Sequence, residues 1–327
     1  MLRLKSSNFC LLLSSLISSL ILLSCSNPVE ESKQKSTVNE LINSQPHLST
    51  YKEAMAISGL NSYLEASNLT YFIPTNAAFQ KFLSDNNYAL LSDVPVLILK
   101  EILMNHLMNG LQLSSSLSTG YFTTLAKGSA SATNNLSLFV STASGSIVLN
   151  GISKIITSDV TASNGIIHIV DTVLILPSIL AQLTANPVFT DLLVALTIQN
   201  QALPLNYFKN TLSDTTIKTF FAPTNAAFTS FNLEFGYTTT TTIAATLQNQ
   251  ILRYHIASGT NFALNSFINN QIITTNISTN LSIQFSTTSI ENFIKLKDVN
   301  NRLASIIYKN IQCTNGMIHT IDKVLKP

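Results

Sequence analysis

Asn164-Gly165-Ile166-Ile167-His168-Ile169-Val170-Asp171 recurs as Asn315-Gly316-Met317-Ile318-His319-Thr320-Ile321-Asp322. Each copy opens on Asn-Gly, a turn signal. Each continues as an apolar run rich in β-branched residues, the pattern of a strand. Each then reaches a Val-Leu pair and a proline: Val173 and Leu174 before Pro177, Val324 and Leu325 before Pro327. The stretch therefore reads as the closing strand of a domain, met twice. Upstream, Tyr71-Phe72-Ile73-Pro74-Thr75-Asn76-Ala77-Ala78-Phe79 matches Phe220-Phe221-Ala222-Pro223-Thr224-Asn225-Ala226-Ala227-Phe228. His106 recurs as His255, at the same spacing that separates Pro74 from Pro223. Three anchors in one order at nearly constant offset mean a tandem duplication. The period of roughly 150 residues is that of a domain, not of a solenoid repeat.

The Pro-Thr-Asn-Ala-Ala-Phe box, the histidine after a helix and the Asn-Gly-x-Ile-His-x-x-Asp closing strand together resemble the fasciclin family. The resemblance runs from about Leu41 to Pro327. It implies an α+β fold of two tandem fasciclin-like domains, each a β-sandwich or wedge with helices packed on it. The expected boundaries are 41–177 and 178–327. The residue pattern agrees, because helices come first and short strands later in each half.

In domain one, Thr50-Tyr51-Lys52-Glu53 has capping-box spacing at the start of a helix. Leu69 to Ile73 reads as a strand, ended by Pro74, and Thr75 or Asn76 caps the helix carrying Ala78, Phe79 and Phe82. A helix opened by Pro95 runs to His106 and stops near Gly110. Strands follow at 121–123, 136–140, 147–149 and 153–157. In domain two, Ser178 begins a helix directly after Pro177 with no Gly/Ser linker, which predicts closely abutting domains. Asn186-Pro187 starts the next helix, Leu205 to Ser213 makes a longer connection, and Ile243 to His255 is helical. Strands are expected at 272–274, 281–285, 293–296 and 304–308.

Charged residues are only 10% of the chain, well below the roughly 25% of ordinary soluble domains. Residues 1–24 take Arg3 and Lys5 with them and no acid, so the remainder carries equal numbers of basic and acidic groups. That excludes an electrostatic nucleic-acid binder, which needs a basic face. Arg3 and Lys5, the apolar run Phe9 to Leu23 and Leu22-Leu23-Ser24-Cys25 resemble a bacterial lipoprotein signal. The resemblance implies cleavage after residue 24 and lipid, palmitate among the chains, on Cys25. More than one acyl chain is what stable anchoring needs. Residues 25–40 then read as a lipidated tether, polar from Ser26 to about Val38. Ser26 in place of Asp implies the outer membrane by the same rule, and leaves the periplasmic or outward orientation open. Cys10 leaves with the signal and Cys25 is modified, so Cys313 has no disulfide partner.

Five histidines are present, and four are the repeated pairs. Strand alternation puts His168 and His319 on the apolar side, with Thr320 and Asp322 on the other face. His106 and His255 follow the buried stripe of a helix. In animal fasciclin proteins a Tyr-His pair near this point is implicated in integrin-type adhesion. Tyr254-His255 matches it, and Asn105 replaces the tyrosine before His106. Tyr254, His255 and His106 are therefore the candidate partner-binding residues, beside a structural reading of the same three. No metal-ligand spacing, nucleophile elbow or phosphate-cradling loop appears, so no catalytic residue, metal or cofactor is expected. The reading is a non-enzymatic, envelope-anchored adhesion or interaction module with protein or glycan partners. The alternative is a glycan- or small-ligand-binding accessory lipoprotein of an envelope transport system.

Overall fold

A computed structural model describes residues 35–197, 206–285 and 294–327. The signal, Cys25 and most of the tether lie outside these residues, as do Leu205 and Phe293. Domain one begins with α1 (Val38–Asn43), α2 (Ser49–Ile57) and α3 (Asn61–Glu65), then β1 (Leu69–Pro74), α4 (Asn76–Asp85) and α5 (Val96–Met104). The strands β2 (Leu107–Asn109), β3 (Gly120–Gly128), β4 (Ser131–Ser141), β5 (Val148–Leu149), β6 (Ser153–Thr161) and β7 (Gly165–Val170) complete it. Domain two repeats the plan. It comprises α6 (Ile179–Ala185), α7 (Thr190–Ala195), α8 (Tyr207–Ser213), β8 (Lys218–Pro223), α9 (Asn225–Phe235) and α10 (Ala245–Tyr254). Its remaining strands are β9 (Ile256–Ser258), β10 (Ile272–Thr274), β11 (Asn280–Phe285), β12 (Ile294–Lys297), β13 (Leu303–Cys313) and β14 (Gly316–Ile321).

The two sheets have matching strand orders, β2-β1-β7-β6-β5-β4-β3 and β9-β8-β14-β13-β12-β11-β10. In each, the closing strand is central and pairs parallel with the strand before the proline box: β1 with β7, and β8 with β14. Every residue of β7 and β14 is buried. Helices cover one face, where Tyr71, Ile73, Phe79, Leu103, Ile167 and Ile169 share a core. The folded-over outer strands cover the other, where Phe72 and Val170 meet Leu138, Val140 and Leu149. The polar face expected at Thr320 is thus corrected, since Thr320 is buried and Ile318 packs under the helices. A strand covered on both sides reads as a continuous apolar run.

The Asn-Gly pair does more than turn the chain. Asn164 Oδ1 accepts from Val38 N at 2.8 Å, and its Nδ2 donates to the carbonyls of Leu64 and Ala66. Asn315 does the same for Ile179 N and the carbonyls of Leu212 and Asp214. One amide thus ties the first amide of one helix to two carbonyls at the end of another. A Cβ on Gly316 would lie 1.8 Å from the Lys218 carbonyl oxygen, so only glycine admits the neighbouring strand there.

Several local expectations change. The tether ends earlier than residue 40, because Thr37 and Glu40 form the capping box that starts α1. Val38 is fully buried in the core of domain one. Thr50 caps nothing: α2 starts at Ser49, and Thr50 N donates to Asn76 Oδ1 at 3.0 Å. Asn76 Nδ2 reaches back to the Pro46 carbonyl, while Thr75 caps α4. Asn225 repeats this with Asp191 N and the Pro187 carbonyl. The asparagine of the proline box is thus a clamp between two helices. Asn76→Ala is expected to destabilise domain one by about 1–2 kcal/mol, the usual cost of a lost cap. A chemical denaturation midpoint unchanged from wild type would contradict this. The helix ending expected near Gly110 falls at Asn105, and β2 follows.

Residues 35–327 form one compact unit. Gln312 N donates to Ser137 Oγ at 3.0 Å, Gln182 Nε2 to the Ser137 carbonyl at 2.6 Å, and Ala130 N to the Thr314 carbonyl at 2.8 Å. Tyr121 lies in a strand as expected, in β3 at this seam, with its ring 5.2 Å from that of Tyr308. The backbones approach closely at two glycines. A Cβ on Gly128 would sit 2.6 Å from Thr314 Cα, and one on Gly151 would sit 3.0 Å from Ala185 Cα. The position in domain two that matches Gly151 is Arg302, whose guanidinium bonds Asp298 and the Val324 carbonyl. The surface that receives a helix in domain one is filled by charge in domain two.

Candidate functional site

The three candidate partner-binding residues are inside the protein. Tyr254, His255 and His106 are at most 1% exposed, and none presents its ring to a partner. Their burial counts against the partner-binding reading of these three residues and agrees with the structural one. The Tyr254 hydroxyl donates to the Asn280 carbonyl at 2.9 Å and accepts from Val299 N, and burial pushes the phenol up to about 12. Asn105 takes the equivalent place in domain one, donating to the carbonyls of Leu174 and Ile175.

His106 and His255 are pinned in the same way. Leu174 N donates to His106 Nε2 at 2.9 Å, so Nδ1 carries the proton and donates to the Ile102 carbonyl at 2.7 Å. Leu325 N and the Ile251 carbonyl hold His255 at 3.0 and 2.7 Å. Each imidazole ties the end of a helix to the chain leaving the closing strand. Burial lowers both pKa values to about 4. His168 and His319 use the opposite tautomer. Their Nε2 atoms donate to the carbonyls of Gln112 and Phe262. Their Nδ1 atoms accept from Asp159 N and Asn310 N, at bulges where both residues have positive φ.

Ser114 Oγ donates to the Asp159 carboxylate, whose backbone N–H faces His168. The arrangement gathers a serine, an aspartate and a histidine, but neither imidazole nitrogen is free to take a proton from a substrate. Among the described residues, no group of three or more His, Cys, Asp or Glu side chains could hold a metal ion. The Cys313 thiol is buried and its pKa is raised by that burial.

A different site lies between the domains. Thr123, Thr133, Asn134 and Asn135 of β3 and β4 form one wall of a cleft of about 550 Å3. Leu264, Asn265 and Lys309 form the other, over Gln312 and Met317. Gln312 is 2% exposed and organises the floor. Its Oε1 accepts from Asn134 Nδ2 at 3.3 Å and Asn261 Nδ2 at 3.1 Å, and its Nε2 donates to the Cys313 and Gly316 carbonyls.

The fasciclin-domain family model matches residues 46–177 and again 195–327. The chain belongs to the fasciclin family. Its two fasciclin domains are similar to the FAS1 domain pair of the insect cell adhesion molecule fasciclin I. That likeness has a TM-score of 0.50 at 19% identity, and covers 86% of this chain and 97% of that one. Human periostin is 29% identical over 271 residues, covering 80% of this chain and 28% of periostin. Transforming growth factor-beta-induced protein ig-h3 of Sus scrofa is 28% identical over 139 residues, covering 42% of this chain and 19% of ig-h3. The chain thus spans less than a third of these curated relatives. The cleft between its fasciclin domains had no signal in the sequence, because its walls come from segments more than a hundred residues apart. Gln312 alone carries a trace: its partner position in the other repeat is the exposed Thr161.

Proposed function

We propose that the chain is a non-enzymatic adhesion or interaction module, anchored in a bacterial envelope through lipid on Cys25 and presenting two tandem fasciclin domains. The observation that carries this reading is the abutted fasciclin pair, similar in fold to one from a cell adhesion molecule. The anchor rests on the lipoprotein-like signal, and Ser26 argues for the outer membrane. Protein or glycan partners suit a weakly charged polar surface, where a few anchoring contacts supply the affinity. The second reading, a glycan- or small-ligand-binding accessory lipoprotein, is favoured by the interdomain cleft.

Protease shaving of intact cells, with a periplasmic protein as leakage control, separates them. Cleavage of both fasciclin domains is the expected result. Protection until the outer membrane is breached rules out adhesion between cells and favours the accessory role. Cys25→Ser should move the protein from the membrane fraction to the soluble one. Retention in the membrane would remove the anchor.

A further inference from the structure

We infer that the cleft between the two fasciclin domains binds a short glycan, a site that rests on reading the chain as an interaction module. The lining side chains are mostly polar. Amides and hydroxyls dominate, from Asn134, Asn135, Asn265, Gln312, Thr123 and Thr133, and no carboxylate is among the lining groups. An amide side chain offers both donors and acceptors, and a sugar hydroxyl demands both. Lys309 is the one charged group, so a neutral sugar or one bearing a single acid is accommodated. The volume falls within the roughly 300–1,000 Å3 of small-ligand pockets.

Part of this capacity is unspent. Among the described residues, the side chains of Thr123, Asn265 and Lys309 make no hydrogen bond, and all three are exposed. The frame behind them is fixed. Asn310 Oδ1 accepts from Leu264 N at 2.8 Å, which holds the segment carrying Asn265. Asn135 Nδ2 donates to the Thr124 carbonyl at 2.8 Å. Gln312 bridges to Asn134 across the seam, so the two walls are joined before any ligand arrives. Preorganisation of this kind lowers the ordering cost of binding. Leu264, half-buried in the lining, adds an apolar contact for the C–H face of a sugar ring.

The test uses detergent-solubilised full-length protein on an array of defined oligosaccharides. The array carries neutral hexose, N-acetylhexosamine and uronic-acid-containing oligomers. The best-bound oligosaccharide is then titrated by calorimetry against wild type, Asn265→Leu and Lys309→Ala. Both substituted side chains are exposed and outside the fold's hydrogen bonds, so unchanged melting curves are expected. Loss of one or two hydrogen bonds should weaken binding about tenfold in Asn265→Leu. An empty array, or binding equally strong in both variants, overturns the site. Capture of extended peptides with the same sensitivity to the variants makes it a peptide site and overturns the glycan. Cells expressing the protein provide the separating control. Surface-exposed protein that still promotes cell attachment after an empty array leaves the module reading standing without this cleft. Variant-sensitive glycan binding with no effect on attachment leaves the cleft standing and removes adhesion.

Discussion

Ile167→Asp should unfold domain one. Ile167 is 1% exposed and lies in the helix-side core with Tyr71, Phe79 and Leu103. It is in register with Tyr71 on one side and Val160 on the other, so the carboxylate would have apolar neighbours on both flanks. A buried unpaired acid must either pay for desolvation or take up a proton, and such changes fall in the exceptional class above roughly 4 kcal/mol. His168→Asp should act similarly. It removes the bond to the Gln112 carbonyl and sets a carboxylate where the imidazole stacks on Phe72, 5.5 Å between ring centroids. Thermal melting followed by circular dichroism, with hydrogen exchange to locate the loss, reads the effect. Ile167→Val should cost only about 1 kcal/mol and serves as the control. A melting curve for Ile167→Asp that overlays wild type would refute the two-faced burial of β7.

Acidification from pH 6.5 to 5 should destabilise the protein steeply, before the carboxylates titrate. His106, His255 and His319 have pKa values lowered to about 4 by burial, and burial lowers His168 as well. In the unfolded chain each titrates near 6.5. Between those values the unfolded state binds protons that the folded state refuses, so stability rises with pH. The stabilisation is fully present above about 6.5 and is lost as pH falls toward 4. Each histidine costs roughly 1.4 kcal/mol per pH unit inside that window, so three together dominate the acid response. The charges near them differ. Asp298 and Arg302 act on His255 in opposite directions, and Asp159 favours the charged form of His168. Urea midpoints at half-unit steps of pH provide the measurement. A flat profile from pH 7 to 5 would mean that the imidazoles are protonated in the folded protein, contrary to their hydrogen bonds.

The amino-acid sequence by itself determined the duplication, the family and the position of most elements. Those features are local. The proline box, the Asn-Gly closing strand and the caps at Thr75 and Asn186 depend on spacing within a few residues, and they form as read. The tertiary structure decided what each polar side chain is for. Thr50 has the spacing of a cap, yet Asn76, brought from another helix, supplies the acceptor. Tyr254-His255 has the spacing of a candidate partner-binding pair, yet outer strands and the chain after β14 enclose both residues. Asn164 and Asn315 read as turn formers, yet each binds backbone from helices distant in sequence. Burial and pairing depend on what packs against a residue from far along the chain, which periodicity does not encode. The cleft follows the same logic. Its walls belong to different domains, and Gln312 is joined to Asn134 only across the seam that tertiary packing creates.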